Sequence, residues 1–377
     1  MNKILKRIAH SHLLFPIVCL AMVLLLNTIV TIIQPGNSPA TFFRITMVNG
    51  ALKGSLIDIL DYSSGLIILA IGMMIVVSCS RGVDISVGAV MALSSAVSVW
   101  VLGYGTLQQN NYTISAYVFP YVVGLLVAAV MGAVCGAWNG FLVSKLRIQP
   151  MIATLILYTG GRGIAKVVAN GQINRIDVPS FSWATSNVTD AAGKAVVPIP
   201  ITILVAAAFV LLVALVLHFT ALGMNIQAVG INDRSSRIAG LKSSRIILLA
   251  FVFCGICAAI AGIIATSRIG GIDTQNNGKL VELDAILAVA LGGNSLNGGK
   301  FSLSGTVIGA ITIQALTTVL YSINVSAAQL PFYKAVVVII IVVLQSTELR
   351  PMLDKATAPV KRWLASRRTV VSEEMGE

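Results

Sequence analysis

Few side chains in this 377-residue sequence are spaced for chemistry. The three histidines, His10, His12 and His218, stand apart from any nucleophile they could serve as general base. Cys254 and Cys257 form a C-x-x-C pair, but no second pair or nearby histidine completes a zinc ligand set. With Cys19, Cys79 and Cys135 they lie in or beside apolar runs and read as small packing residues; the odd total offers no disulfide framework. The run Gly292-Gly293-Asn294-Ser295-Leu296-Asn297-Gly298-Gly299-Lys300 resembles a phosphate loop. Such a loop needs glycine six residues before its lysine and Ser or Thr after it, and Asn294 and Phe301 occupy those places. The expectation is no catalytic residue, no metal and no cofactor. If the protein pumps, a partner hydrolyses the ATP.

What remains is polar character in apolar surroundings. Arg81-Gly82-Val83-Asp84-Ile85-Ser86-Val87-Gly88 interrupts one apolar run, and Asn294 to Ser304 follows another. Interrupted helices in corresponding halves are the best sequence pointer to a transport pathway, and backbone freed at such breaks must line a cavity or be buried in protein. Asp84, Ser86, Gly88, Asn294 and Ser295 are the candidate pathway residues. A carboxylate at the bilayer centre costs about 2.5–3.5 kcal/mol on insertion scales. Asp84 therefore caps the following helix, with Arg81 nearby, or touches substrate directly; Asp284 is a similar candidate to open a helix.

The elements that must hold these residues are membrane spans. Of all residues 56% are hydrophobic and 11% charged, against about 25% charged in a soluble domain, and the mean hydropathy is +0.90. The formal charge of +12 falls in short clusters between apolar runs, which marks topology rather than a nucleic-acid face. Runs of about 20 apolar residues suffice to span. Candidates lie near 13–33, 65–80, 85–103, 117–144, 150–168, 198–219, 246–267, 280–293, 302–321 and 332–346. The expected fold is thus all-α and polytopic, about ten transmembrane helices in one membrane domain over 1–377, embedded from about 13 to 346. The second, eighth and tenth spans are short, and 347–377 forms a basic tail. The first run is too long for a signal peptide and lacks a cleavage site.

An even count with the N-terminus inside puts 17 of the 26 lysines and arginines on the cytoplasmic side, both termini included. Outside lie 34–64, with a possible interfacial helix at Ser55 to Leu60, then 104–116 and 169–197. The tail from Arg350 to Arg368 rests on an anionic leaflet or is simply solvated. Gly132, Gly136 and Gly140 form a small-residue stripe that favours close helix packing over mere glycine abundance. The inside segment Thr220 to Arg245 exceeds a plain connector; a short helix there would dock on a soluble partner, the alternative being an ordinary basic loop.

At these residues the sequence resembles the permease subunits of bacterial sugar ABC importers, the family of ribose, arabinose, xylose and galactofuranose permeases. The likeness covers roughly residues 50–350. It rests on Gly82 to Leu93, on Thr220 to Gly240, and on Glu282-Leu283-Asp284-Ala285-Ile286-Leu287-Ala288-Val289 with the glycine-rich run after it. Gly54 to Leu60, Ile148-Gln149-Pro150, Ala153 to Leu157, Gly161-Arg162-Gly163 and Gly171-Gln172-Ile173 are most similar to the galactofuranose branch. The chain departs from the pattern at Ser80-Arg81, where the family tends to have glycine.

The resemblance implies a location in the inner, or cytoplasmic, membrane of the cell and several partners. These are a second permease subunit, identical or different, an ATPase with two nucleotide-binding halves, and an extracytoplasmic sugar-binding protein. It makes the loop at Gly223, Ala228, Gly230, Asn232, Ala239 and Gly240 the element that couples to the ATPase. The competing reading is an ion-coupled secondary transporter, which would call for ionisable relays within spans.

Overall fold

The structure is a computed structural model and describes residues 13–33, 42–103, 113–185 and 197–345. The basic cluster of Lys3, Lys6 and Arg7, His10, His12, most of 104–116, Asp190 and the tail 347–377 lie outside those residues. The chain forms two compact units, Met1–Ile323 and Asn324–Glu377.

The first unit contains eleven α-helices among its described residues: α1 Leu14–Ile33, α2 Ser55–Ser80, α3 Val87–Leu102, α4 Tyr121–Ser144, α5 Pro150–Val168, α6 Ile201–Phe219, α7 Leu222–Ile231, α8 Asp233–Ile238, α9 Ser243–Ile269, α10 Val281–Leu291 and α11 Leu303–Ser322. The second unit contributes α12, Leu330–Gln345. All ten anticipated spans are helical, and the fold is an all-α polytopic membrane protein. Among the described residues seven helices are long and apolar enough to cross a membrane. α3 and α12, of 16 residues each, and α10, of 11, are shorter than that. At 1.5 Å per residue α10 covers about 16 Å, roughly half the hydrocarbon core.

The second span is not short. α2 runs unbroken for 26 residues, and Ser55 to Leu60 is its first turn and a half rather than an interfacial helix. The polar start is satisfied within protein. Asp61 pairs with Arg268 at 2.8 Å and accepts from Thr202, while Ser63 and Ser64 bond back to Leu60 and Asp61 carbonyls. The break falls after α2, at Arg81 to Ser86, and the helix it shortens is α3.

α2 is buried along most of its length, with α9, α10 and α11 against it. α4 lies along α9 through the glycine stripe. A Cβ at Gly132, Gly136 or Gly140 would run into the backbone at Gly255, Phe251 or Leu248 respectively. The expected close packing is real, and the reason is absent side chains. Cys254 and Cys257 are wholly buried on α9, and Gly72 of α2 meets them.

Two small sheets complete the first unit. β1 (Thr46–Val48) and β2 (Ala51–Lys53) form a hairpin whose turn, Asn49-Gly50, has both φ angles positive, as a two-residue type I′ loop requires. β3 (Thr113–Ile114), β4 (Asn174–Ile176) and β5 (Gly271–Ile272) pair in that order, β3 with β4 parallel and β4 with β5 antiparallel. Alternation of spans puts all three of their loops on one membrane side, and here they are one sheet.

Candidate pathway and coupling site

The Gly82–Ser86 turn sits on the start of α5. Gly82 leaves no room for a Cβ beside Pro150, and the Ile85 N–H donates to Thr154 Oγ1 at 3.2 Å. Asp84 is buried beneath it. Its Oδ1 accepts from the Ser86 N–H at 2.9 Å and from the Ser86 hydroxyl at 2.6 Å, and Asn139 of α4 donates to that hydroxyl at 2.8 Å. The carboxylate thereby satisfies an orphan N–H at the start of α3. Arg81 is not its counter-ion; it turns to α7. An asparagine at 84 keeps the accepting oxygen and an alanine does not. Asp84→Asn is thus expected to keep uptake within about twofold of wild type. Asp84→Ala leaves buried donors unpaired, at about 1–3 kcal/mol, and its level in membranes should fall; equal loss in both variants would point to a role for the charge itself.

One turn further along, Gly88 faces a polar cluster that none of the candidate residues except Gly88 itself anticipates. The loop from Asp273 to Leu280 enters the protein ahead of α10, which begins after Leu280 in a left-handed conformation, φ 61°. A Cβ on Gly88 would strike the Gly278 carbonyl and Glu282 Oε2, and would lie 3.2 Å from Arg162 Nη2. Arg162, on α5, donates to the carbonyls of Asn277 at 3.2 Å and Gly278 at 2.6 Å. Asn277 itself is buried and donates to Thr266 at 3.2 Å. Glu282 is buried and its Oε2 has no hydrogen-bond partner among the described residues. Backbone freed from helix at this depth is held by a guanidinium, as a membrane interior demands.

Asn294 sits at the other end of α10. Its amide donates to the Val289 carbonyl and Thr306 Oγ1, both at 2.9 Å, and its Oδ1 accepts from the Ser302 N–H at 2.6 Å. It pins the loop between α10 and α11. Ser295 is exposed there, its hydroxyl accepting from the Asn297 N–H at 3.2 Å. The five pathway candidates therefore occupy three places: Asp84 with Ser86, Gly88 with Arg162 and Glu282, and Asn294 with Ser295 on the α10–α11 loop. On the opposite face of the first turn of α10, Tyr62, Met91, Arg268, Asp284 and Gln314 border a cavity of about 210 Å³.

The 220–245 segment is two helices, not one. Gly223 and Gly230 of α7 face inward. Gly223 leaves no room beside the Leu217 carbonyl, and Gly230 lies against the Ser78 carbonyl and the Gly299 N–H. Ala228 is half-buried. Asn232 ends α7 and caps α8, accepting from the Ser235 N–H at 3.0 Å. Ala239 closes α8, and Gly240 follows with φ 87° in open space. Outward, the two helices expose Met224, at 72%, and Ile238, at 83%.

The profile of the family described as branched-chain amino acid transport system, permease component, matches residues 55–345. The chain belongs to this permease family. The matched region begins with α2 and ends with α12, so it takes in every site described above. The permease is 39% identical over 330 residues to the galactofuranose transporter permease protein YtfT of Escherichia coli K12, covering 88% of each chain. It is 36% identical over 361 residues to the fructose import permease protein FruF of Bifidobacterium longum, covering 96% of this chain and 94% of that one. It is 34% identical over 298 residues to the ribose import permease protein RbsC of Escherichia coli K12, covering 78% and 85%. No solved structure matches the permease. The expected family is thus the right one, and a permease component is one part of a larger transport system.

Proposed function

We propose that this permease is the membrane-spanning subunit of an ATP-driven sugar importer, that it forms the translocation pathway with a second permease, and that α7 and α8 receive the stroke of a separate ATPase on the cytoplasmic side of the inner membrane. The observation that carries the reading is the α7–α8 platform. It lies between the spans α6 and α9 and exposes Met224 and Ile238. Apolar groups grouped on a polar surface mark a protein contact. Inward, α7 is fitted through Gly230 to the end of α2 and the α10–α11 loop. One face thus suits a partner while the other grips the bundle.

Sugar is the favoured cargo because the three relatives above are named for galactofuranose, fructose and ribose. The cavity beside α10 agrees in chemistry. It combines a phenol, a guanidinium, a carboxylate and an amide with apolar walls. It is smaller than the roughly 300–1,000 Å³ of sites for drug-sized ligands, which suits one small ring. An extracytoplasmic binding protein would deliver that ring. The candidate residues Asp84, Ser86, Asn294 and Ser295 then act by holding the turns at the two ends of the pathway helices, and Gly88 by admitting Glu282 and Arg162.

The test is the double variant Met224→Glu with Ile238→Glu. Co-purification of the ATPase of the same transport system is expected to fall by about tenfold or more, since burying two unpaired charges costs at least that factor. Insertion of the permease should be unchanged. Uptake that survives loss of the ATPase but collapses with an uncoupler would instead establish ion-coupled transport.

A further inference from the structure

The end of α2 and the end of α7 are tied together by one side chain. Arg81 follows the last residue of α2 in the left-handed region, φ 57° and ψ 33°, where its N–H still bonds the Val77 carbonyl. That conformation is disfavoured for a non-glycine residue, so something must hold it. Arg81 Nε donates to the Gly230 carbonyl at 2.6 Å, and Nη2 donates to the Ile231 carbonyl. These are the last two carbonyls of α7, which have no partner within their own helix. A guanidinium at a helix C-terminus also meets the negative end of its dipole.

Two neighbours make the joint three-way. The Ser78 carbonyl accepts from the Gly299 N–H at 2.9 Å, and the space over Gly230 is filled by the Ser78 carbonyl and the Gly299 N–H. A Cβ on Gly298 would come within 2.8 Å of Arg81 Cγ. α7 therefore cannot shift without loading the end of α2 and the loop after α10. Directly beyond Arg81 comes the turn that carries Asp84 and rests on Pro150 and Thr154 of α5.

We infer that Arg81 is the positioning residue that transmits displacement of α7 to α2 and, through the Gly82–Ser86 turn, to α5. This rests on the reading of α7 as the ATPase contact. The Gly230 fit alone lets the helices push against each other; the bidentate guanidinium also lets α7 pull, so the return stroke requires Arg81.

The test uses the full complex reconstituted with its ATPase. All five native cysteines are buried, so a single thiol introduced by Thr159→Cys, on the exposed face of α5, is labelled selectively. A photocross-linker at position 224 reports the ATPase contact independently. In the Arg81 background the cross-link should form and ATP should change the labelling rate at 159. Absence of the cross-link there would overturn the coupling reading itself. With Arg81→Gly, glycine is favoured in the left-handed region, so the fold should hold and ATP hydrolysis should continue. The ATP-dependent change in labelling should shrink about tenfold, the worth of charge-assisted hydrogen bonds of this kind. Arg81→Asn, which tolerates the conformation but cannot reach both carbonyls, should behave alike. An undiminished ATP-dependent change in either variant, or no such change with Arg81 present, would overturn the inference. So would failure of both variants to insert, which would make Arg81 a folding residue only.

Discussion

Gly136→Leu should remove the folded permease from the membrane. The position has no free space: a Cβ there would strike the Phe251 carbonyl and lie 2.8 Å from the Val252 Cα. An overpacked core usually loses about 1–3 kcal/mol because side chains shift aside. Here the obstacle is the backbone of a facing helix. α4 and α9 would have to separate along the whole Gly132, Gly136, Gly140 seam. In lipid there is no compensating hydrophobic force to draw them back, since tails are as apolar as leucine. The expected loss exceeds the roughly 5–15 kcal/mol that keeps a typical protein folded. Size-exclusion of fluorescently tagged protein from solubilised membranes would read it as loss of the monodisperse peak. Gly160→Leu is the matched control, since nothing lies within 4 Å of a Cβ there. A normal peak for Gly136→Leu would sink the packing account.

Arg162→Met should cut transport by about a hundredfold or more at a near-normal level of inserted protein. The guanidinium serves two carbonyls of the loop that leads into α10, at 3.2 and 2.6 Å. Methionine fills a similar length but donates nothing. The loop would keep two unserved acceptors, and Glu282 would lose the Arg162 guanidinium beside it. Removing one member of such a buried set costs about 3–5 kcal/mol, which as a rate or occupancy factor is about two to three powers of ten. The bundle seam between α4 and α9 is untouched, so the protein should insert. Glu282→Gln added to Arg162→Met should recover part of the activity by removing the unbalanced carboxylate. Uptake normalised to permease in the membrane decides it; a wild-type rate for Arg162→Met would mean that the loop before α10 takes no part in transport.

The permease character, the helical segments and the glycine seam were all legible in the sequence, because hydrophobic run length and small-residue spacing act locally. The start of α2 was not. Asp61, Ser63 and Ser64 read as a surface stretch, and only Arg268 and Thr202, far along the chain and bonded to Asp61, make them part of a buried helix. Arg162 and Glu282 carried a signal that went unused: each is an ionisable residue within an apolar segment, which by itself nominates a functional site. Asn49-Gly50 likewise is a recognised hairpin turn whose flanking strands were too short to stand out. Proximity along the chain sets Arg81 near Asp84, whereas the direction of a side chain leaving a left-handed residue depends on backbone that no pattern displays.

The three-stranded sheet has a consequence for how the protein is made. β4 pairs with β3 on one side and β5 on the other, with Asn174 opposite Ile272 and Arg175 opposite Gly271. The ribosome delivers β4 long before β5, and α6 and α9 must enter the bilayer between them. Until then one edge of β4 has no strand to complete it, and domains assembled during synthesis hold such open edges at risk of wrong pairing. Closure of the sheet is therefore a late checkpoint in biogenesis. It joins the ends of α5 and α9, and the strand that completes it feeds straight into the loop before α10. The half-length helix is accordingly installed only after the frame that surrounds it has been sealed.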